Sequence, residues 1–275
     1  MPQSLAEGAV EILGAPEPAD KVALSRALAS AWRKGGLPVG EAVVPTRPAR
    51  PERPLLSPPR DMPKRRNFGS PAGCIALLHA LAHIELNAID LAWDIVARFS
   101  EANLPREFFN DWAEVAAEEA EHFALLADRL AALGGAYGDL PAHDGLWEAA
   151  AATAQDLLAR LAVVPLVLEA RGLDVTSEMI RRLERTGDND SAAILQRIYQ
   201  DEIGHVAVGA RWFEWLCHER RLDPEAAFHD LVRRHFTGAL KPPFNRVARD
   251  AAGFPAGYYE PLAAKPLSRT AGEGG

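Results

Sequence analysis

Six side chains of metal-binding types recur in this sequence in a fixed order. Glu85 is followed 34 positions later by Glu119, with His122 three residues on; Glu169 is followed 33 positions later by Glu202, with His205 three residues on. Positions three, four and seven apart share one face of a helix, and here those faces are otherwise apolar. Glu85 shares its face with Leu78, Leu81, Ala82, Ala88, Ile89 and Ala92; Glu119 with Trp112, Val115, Ala116, Phe123 and Leu126. Glu169 falls among Ala162, Leu166 and Leu173, and Glu202 among Leu195, Ile198 and Val206. Four carboxylates turned into one core would repel one another and be driven toward protonation. Two multivalent cations would resolve the conflict. Each Glu-x-x-His offers a carboxylate and an imidazole, and the unaccompanied glutamates complete or bridge the pair, the ligand set of a two-metal site in a four-helix bundle. Mixed carboxylate and imidazole ligation suits two iron ions, or manganese or a mixed pair, although affinity alone does not exclude zinc.

Ligating histidines donate their second N–H to a carboxylate, and Glu118 and Asp201, the acids just before the motif glutamates, are expected to reach the histidine of the opposite hairpin; a solvent-facing acid is the plain alternative. Tyr199, three residues before Glu202, either hydrogen-bonds a ligand or is a core tyrosine with a satisfied hydroxyl. Thr176 lines an oxygen pocket or bonds its own backbone. Gly172 and Gly209 open space near the metals or allow close helix packing. His79 and His83 lie off the Glu85 face and are expected in structural or supporting hydrogen bonds. Asp90 and Asp174, each five residues after a lone glutamate, are expected to pair with arginines such as Arg98 or Arg211.

The elements that must position these groups are all helical. Residues 4–14 and 20–34 read as short amphipathic helices, and prolines from Leu37 to Pro63 leave only an extended wrap. Ser70-Pro71 has the form of a helix start. Four long helices follow over 71–99, 106–133, 147–185 (with a break near Pro165 or Gly172) and 191–221. A helix capped by Asp223-Pro224 and a short one around 244–252 complete the chain. The first and second pairs form two hairpins, offset by 83 to 84 residues, which suggests an internal pseudo-twofold repeat. The expected organisation is an N-terminal segment at 1–69, a bundle at 70–222, a C-terminal extension at 223–262 and a disordered tail at 263–275, with 70–262 one structural unit.

Composition excludes several classes. The net charge of −8 gives no general attraction to nucleic acid, and the basic run Lys64-Arg65-Arg66 reads as a solvated linker. Cys74 and Cys217 offer neither a disulfide framework nor a Cys-x-x-Cys metal module. The N-terminus lacks the pattern of a secretory signal. The apolar stretch Ala149 to Leu168 carries Gln155, Asp156 and Arg160, and so reads as a bundle helix rather than a membrane span. These features predict a soluble protein of a reducing compartment, the cytoplasm.

The six residues, in this order and spacing, resemble the ferritin-like di-iron superfamily. Three stretches, Ala76-Leu77-Leu78-His79-Ala80-Leu81-Ala82-His83-Ile84-Glu85, Ala88-Ile89-Asp90-Leu91 and Lys241-Pro242-Pro243-Phe244-Asn245, are closer still to an uncharacterised bacterial group of ferritin-like proteins. The resemblance covers most of the chain and implies a bundle with a di-iron site; it supplies no substrate. Three function classes follow: an O2-activating oxidase or monooxygenase served by an external electron donor and acting on a small organic molecule, an iron-oxidising storage protein, and a non-catalytic metal-binding bundle. The long additions on both sides of the bundle favour the first over a many-subunit storage cage, while a smaller homo-oligomer stays open. A transfer-RNA hydroxylase is a further alternative, which the acidic charge disfavours.

Overall fold

The computed structural model describes residues 2–58 and 70–264. Among them the regular structure is helical, and β-type pairing is confined to two isolated bridges, Leu56 with Ala142 and Leu240 with Ala263. Helix α1 spans Leu5–Gly14, α2 Pro18–Arg33, α3 Pro71–Arg98 and α4 Arg106–Ala132. Helices α5 (Gly145–Ala152) and α6 (Leu157–Val163) lead into a π-helical segment, Val164–Glu169, and then α7 (Ala170–Arg185). Helix α8 spans Asn189–Glu219, α9 Pro224–His235, α10 Arg246–Ala251 and α11 Ala256–Tyr259. The basic run at 64–66 and the residues from 265 onward lie outside the described residues. Ala263 and Ala264, expected in a disordered tail, are instead paired with Leu240.

Local chemistry explains the boundaries. The Ser70 hydroxyl accepts from the Gly73 amide at 3.1 Å, and Pro71 occupies a first-turn position that needs no N–H donor. Asp188 caps α8 by accepting from Ser191 N at 3.1 Å, and Asp223 caps α9 by accepting from Ala226 N at 2.8 Å. α3 packs along α4, α7 along α8, and α4 crosses to α8, so two hairpins share one core. α3 is long and apolar enough to cross a membrane by length and composition, but most of that stretch is buried inside the molecule.

The expected continuous helix over 147–185 is interrupted, though not where expected. α5 stops at Ala152 because Arg160, 1% exposed, takes over its end: the guanidinium donates to Ala150 O at 2.8 Å and to the Thr153 hydroxyl at 3.1 Å. Asp156 then restarts the chain as the cap of α6, accepting from Leu158 N at 3.0 Å. At Pro165 the chain does not break; it widens into the π segment, which tolerates the missing proline N–H.

The flanking segments are fastened to the hairpins by buried ion pairs, and here two expected pairings are corrected. Asp90 binds Lys21 at 2.6 Å and Arg50 at 2.9 Å, while Arg98 pairs with Asp94. Asp174 is held by Arg249 at 2.8 Å and by Arg171, while Arg211 pairs with Asp111. Arg98 shares the helix with Asp90 but lies eight residues away, and Asp94 at four residues is the better partner. The extended segment before α3 runs beside α1 (Leu5 N to Pro38 O 2.9 Å, Ala49 N to Leu13 O 2.7 Å) and reaches the α4–α5 connection at Ser57, whose amide donates to Ala142 O.

Candidate metal centre

Glu85 comes from α3, Glu119 and His122 from α4, Glu169 from the last position of the π segment, and Glu202 and His205 from α8. Donor atoms of Glu85, Glu119, His122 and Glu202 all lie within 4.8 Å of one another, a largely buried Glu/His cluster that can bind a metal ion. His205 joins it through Glu119: its Nδ1 stands 2.9 Å from Glu119 Oε1 and 3.7 Å from Glu202 Oε1. His122 Nδ1 stands 3.4 Å from Glu119 Oε2 and 3.6 Å from Glu85 Oε2. Glu169 lies outside the tight group of four, but the charges of Glu202 and Glu119 act on its buried carboxyl.

The outer nitrogens of the two imidazoles are occupied crosswise. His122 Nε2 lies 3.0 Å from Asp201 Oδ2, and His205 Nε2 lies 2.8 Å from Glu118 Oε2, so each hairpin's acid reaches the other hairpin's histidine. Donating Nε2–H to a carboxylate leaves Nδ1 with its lone pair toward the cluster. Despite the short approaches, the inward atoms meet no hydrogen-bonding geometry: Glu85 Oε2, both oxygens of Glu119, His122 Nδ1, Glu169 Oε2 and His205 Nδ1 are buried without a partner. A buried unsatisfied polar atom costs about 1–3 kcal/mol, and more when charged. Six such atoms, five in and around the tight cluster and one on the neighbouring Glu169, are donors that a cation satisfies.

The electrostatics agree. Burial and the neighbouring charge of Glu119 push the Glu85 carboxyl well above its usual range. Burial, then Glu202 and Glu119, push Glu169 up to about 8. Burial also opposes charge on Glu119 and on both histidines, but their mutual attraction wins: Glu119 falls well below the usual carboxylate range, His122 rises to about 11, and His205 rises well above the ordinary imidazole value. Without a cation the cluster compensates its charge with protons, which a bound metal would displace.

Tyr199 is a core tyrosine: its hydroxyl accepts from Asn245 Nδ2 at 2.8 Å. Gly209 serves close packing, since a Cβ there would lie 2.5 Å from Pro165 Cβ. At Gly172 a Cβ would meet nothing within 4 Å, and Thr176, one turn on, is half-buried. His79 and His83 hold the α4–α5 connection. His79 Nε2 accepts from Gly138 N at 3.0 Å; His83 Nε2 donates to His143 O at 3.1 Å, and its Nδ1 accepts from the Tyr137 hydroxyl at 2.8 Å. One residue the sequence reading passed over is Arg197, whose Nε lies 3.9 Å from Asp201 Oδ2; the signal for it was its place one helical turn before that aspartate.

The chain is 45% identical over 210 residues to an uncharacterised protein of Haemophilus influenzae, an alignment covering 74% of this chain and 72% of the relative. No solved structure matches it. The model of the family described as "Protein of unknown function (DUF455)" matches residues 14–260, and the chain belongs to that family.

Proposed function

We propose that the two hairpins form a ferritin-like bundle and that the cluster holds two iron ions, or a manganese or mixed pair, in an O2-activating oxidase or monooxygenase. The observation that carries the reading is the set of buried, unpartnered oxygens and nitrogens at Glu85, Glu119, His122, Glu169 and His205, beside Glu202. Such a pair of metals would supply the redox chemistry, reducing O2 with electrons from an external donor and oxidising a small organic substrate. The chain's own contribution is positional. Asp201 and Glu118 fix both imidazoles with Nδ1 inward, and the apolar helix faces exclude water from the ligands. The carboxylates of four helical segments set the number and spacing of donors.

Elemental analysis of freshly purified protein tests this directly. About two metals per chain are expected, and Glu119→Ala or His205→Ala should lower occupancy at least tenfold; full occupancy in both variants overturns the site. Anaerobically reduced iron protein should then consume O2 without building a mineral. Loading of many irons per chain would favour the storage reading instead.

A further inference from the structure

The centre is not sealed evenly. Glu85 and Glu119 are 4% and 1% exposed, whereas the Glu202 side chain keeps 14% of its surface; Glu169 is half-buried as a residue, with its Oε2 covered. α3 and α7, which carry or adjoin the two lone glutamates, hardly approach each other and leave a seam between them. On the α3 side, Leu81 is half-buried and Ile84, next to Glu85, is 43% exposed. On the α7 side, Gly172 faces open space. Further along the same seam lies a cavity of about 260 Å3 walled by Leu77, Val175, Met179 and Leu183. At a rise of 1.5 Å per residue, Val175 lies about 9 Å beyond Glu169 along its helix, and Leu77 about 12 Å before Glu85. Gly172 lies between the cavity and the centre.

We propose that this seam is the substrate channel of the centre and takes a small, uncharged, mostly apolar molecule. The proposal rests on reading the cluster as a reaction centre. The walls are aliphatic, and the charged groups at the rim are already engaged: Asp174 by Arg249, and Glu178 by Arg182. An ionic ligand would lose its hydration and find no free counter-charge among the described residues there; an alkyl chain gains by burial. The cavity falls just below the roughly 300–1,000 Å3 of common ligand sites, which limits the ligand's size. The larger cavity of about 740 Å3 starts at Ala207, two residues past His205, and runs along α8 to His218 against Pro224 and the end of α10, but it is bordered by neither lone-glutamate helix.

Titration calorimetry with 1-octanol, octanoate and octylamine tests the channel, with metal content measured on the same samples. The purified protein should bind 1-octanol saturably and at least tenfold more tightly than either charged analogue. Gly172→Leu, which fills the seam, and separately Val175→Lys should each weaken octanol binding at least tenfold while metal content and helicity stay at the wild-type level. A fully metallated protein that does not bind octanol, that binds octanoate equally well, or whose two folded variants bind octanol unchanged overturns the channel and leaves the metal centre standing. A protein that binds octanol but carries no metal overturns the centre and with it the channel's role.

Discussion

Each site histidine divides its two nitrogens between two tasks, and His83 shows the same division serving structure. Its Nε2–H goes to His143 O and its Nδ1 to the Tyr137 hydroxyl, which uses both ring nitrogens of a neutral imidazole. Burial, opposed in part by the bond to His143 O, holds its pKa down at about 4 against an ordinary 6.5. A folded value below the unfolded one means that the native state resists protonation. The contribution is complete above pH 6.5 and is lost as pH falls toward 4. The stability gap between wild type and His83→Gln, measured by urea unfolding, should therefore shrink by about 2 kcal/mol between pH 7.5 and pH 5; a gap independent of pH would refute the assignment. At this scale the sequence was most readable. A charged residue in an apolar helical register betrays itself by spacing alone, which is how Glu85, Glu119, Glu169 and Glu202 stood out. The partners of Asp90 and Asp174 were hidden, because Lys21, Arg50 and Arg249 come from segments tens of residues away and no helical period links them.

The π segment is the element that the sequence concealed. A proline in a helical pattern reads as a break, yet Val164–Glu169 stays wound because its wider turn does without the proline N–H and α8 comes close at Gly209. Glu169 sits at the end of that turn, so packing at Gly209 and the aim of a candidate ligand are mechanically joined. Gly209→Ala brings a methyl to 2.5 Å from Pro165 Cβ. Overpacking of this kind costs about 1–3 kcal/mol, against a helix-propensity gain of about 1 kcal/mol. The variant should be destabilised by about 1 kcal/mol in denaturant unfolding and should carry less metal. Gly172→Ala, with open space at its Cβ, should be at least as stable as wild type. Equal behaviour of the two alanines would show that the close approach at Pro165 is inconsequential. The break between α5 and α6 was equally hidden, since it depends on Arg160 folding back onto the carbonyl end of α5, a contact invisible to periodicity.

Across the whole molecule, the matched spacing of the candidate ligands has a counterpart in the fastening of the chain. Asp90 and Asp174 occupy equivalent positions in the two hairpins; the first receives Lys21 and Arg50 from the N-terminal segment, the second Arg249 from the C-terminal one. Arg249 is 2% exposed and is surrounded by the rings of Phe244, Phe254 and Tyr259. Removing one partner of a buried pair costs about 3–5 kcal/mol. Arg249→Ala should therefore free the C-terminal extension for proteolysis after Glu219 while α3 and α4 remain protected; uniform resistance would rule out the anchoring role. The order of the fastenings also has a consequence during synthesis. Lys21 and Arg50 are synthesised before Asp90, so the first hairpin can close on partners already made. Asp174 must wait 75 residues for Arg249, and domains emerging from the ribosome fold N-terminal part first. The half of the molecule that brings Glu169, Glu202 and His205 is thus the last to be locked, and a nascent chain stopped short of Arg249 would present a finished first hairpin beside a half-assembled Glu/His cluster.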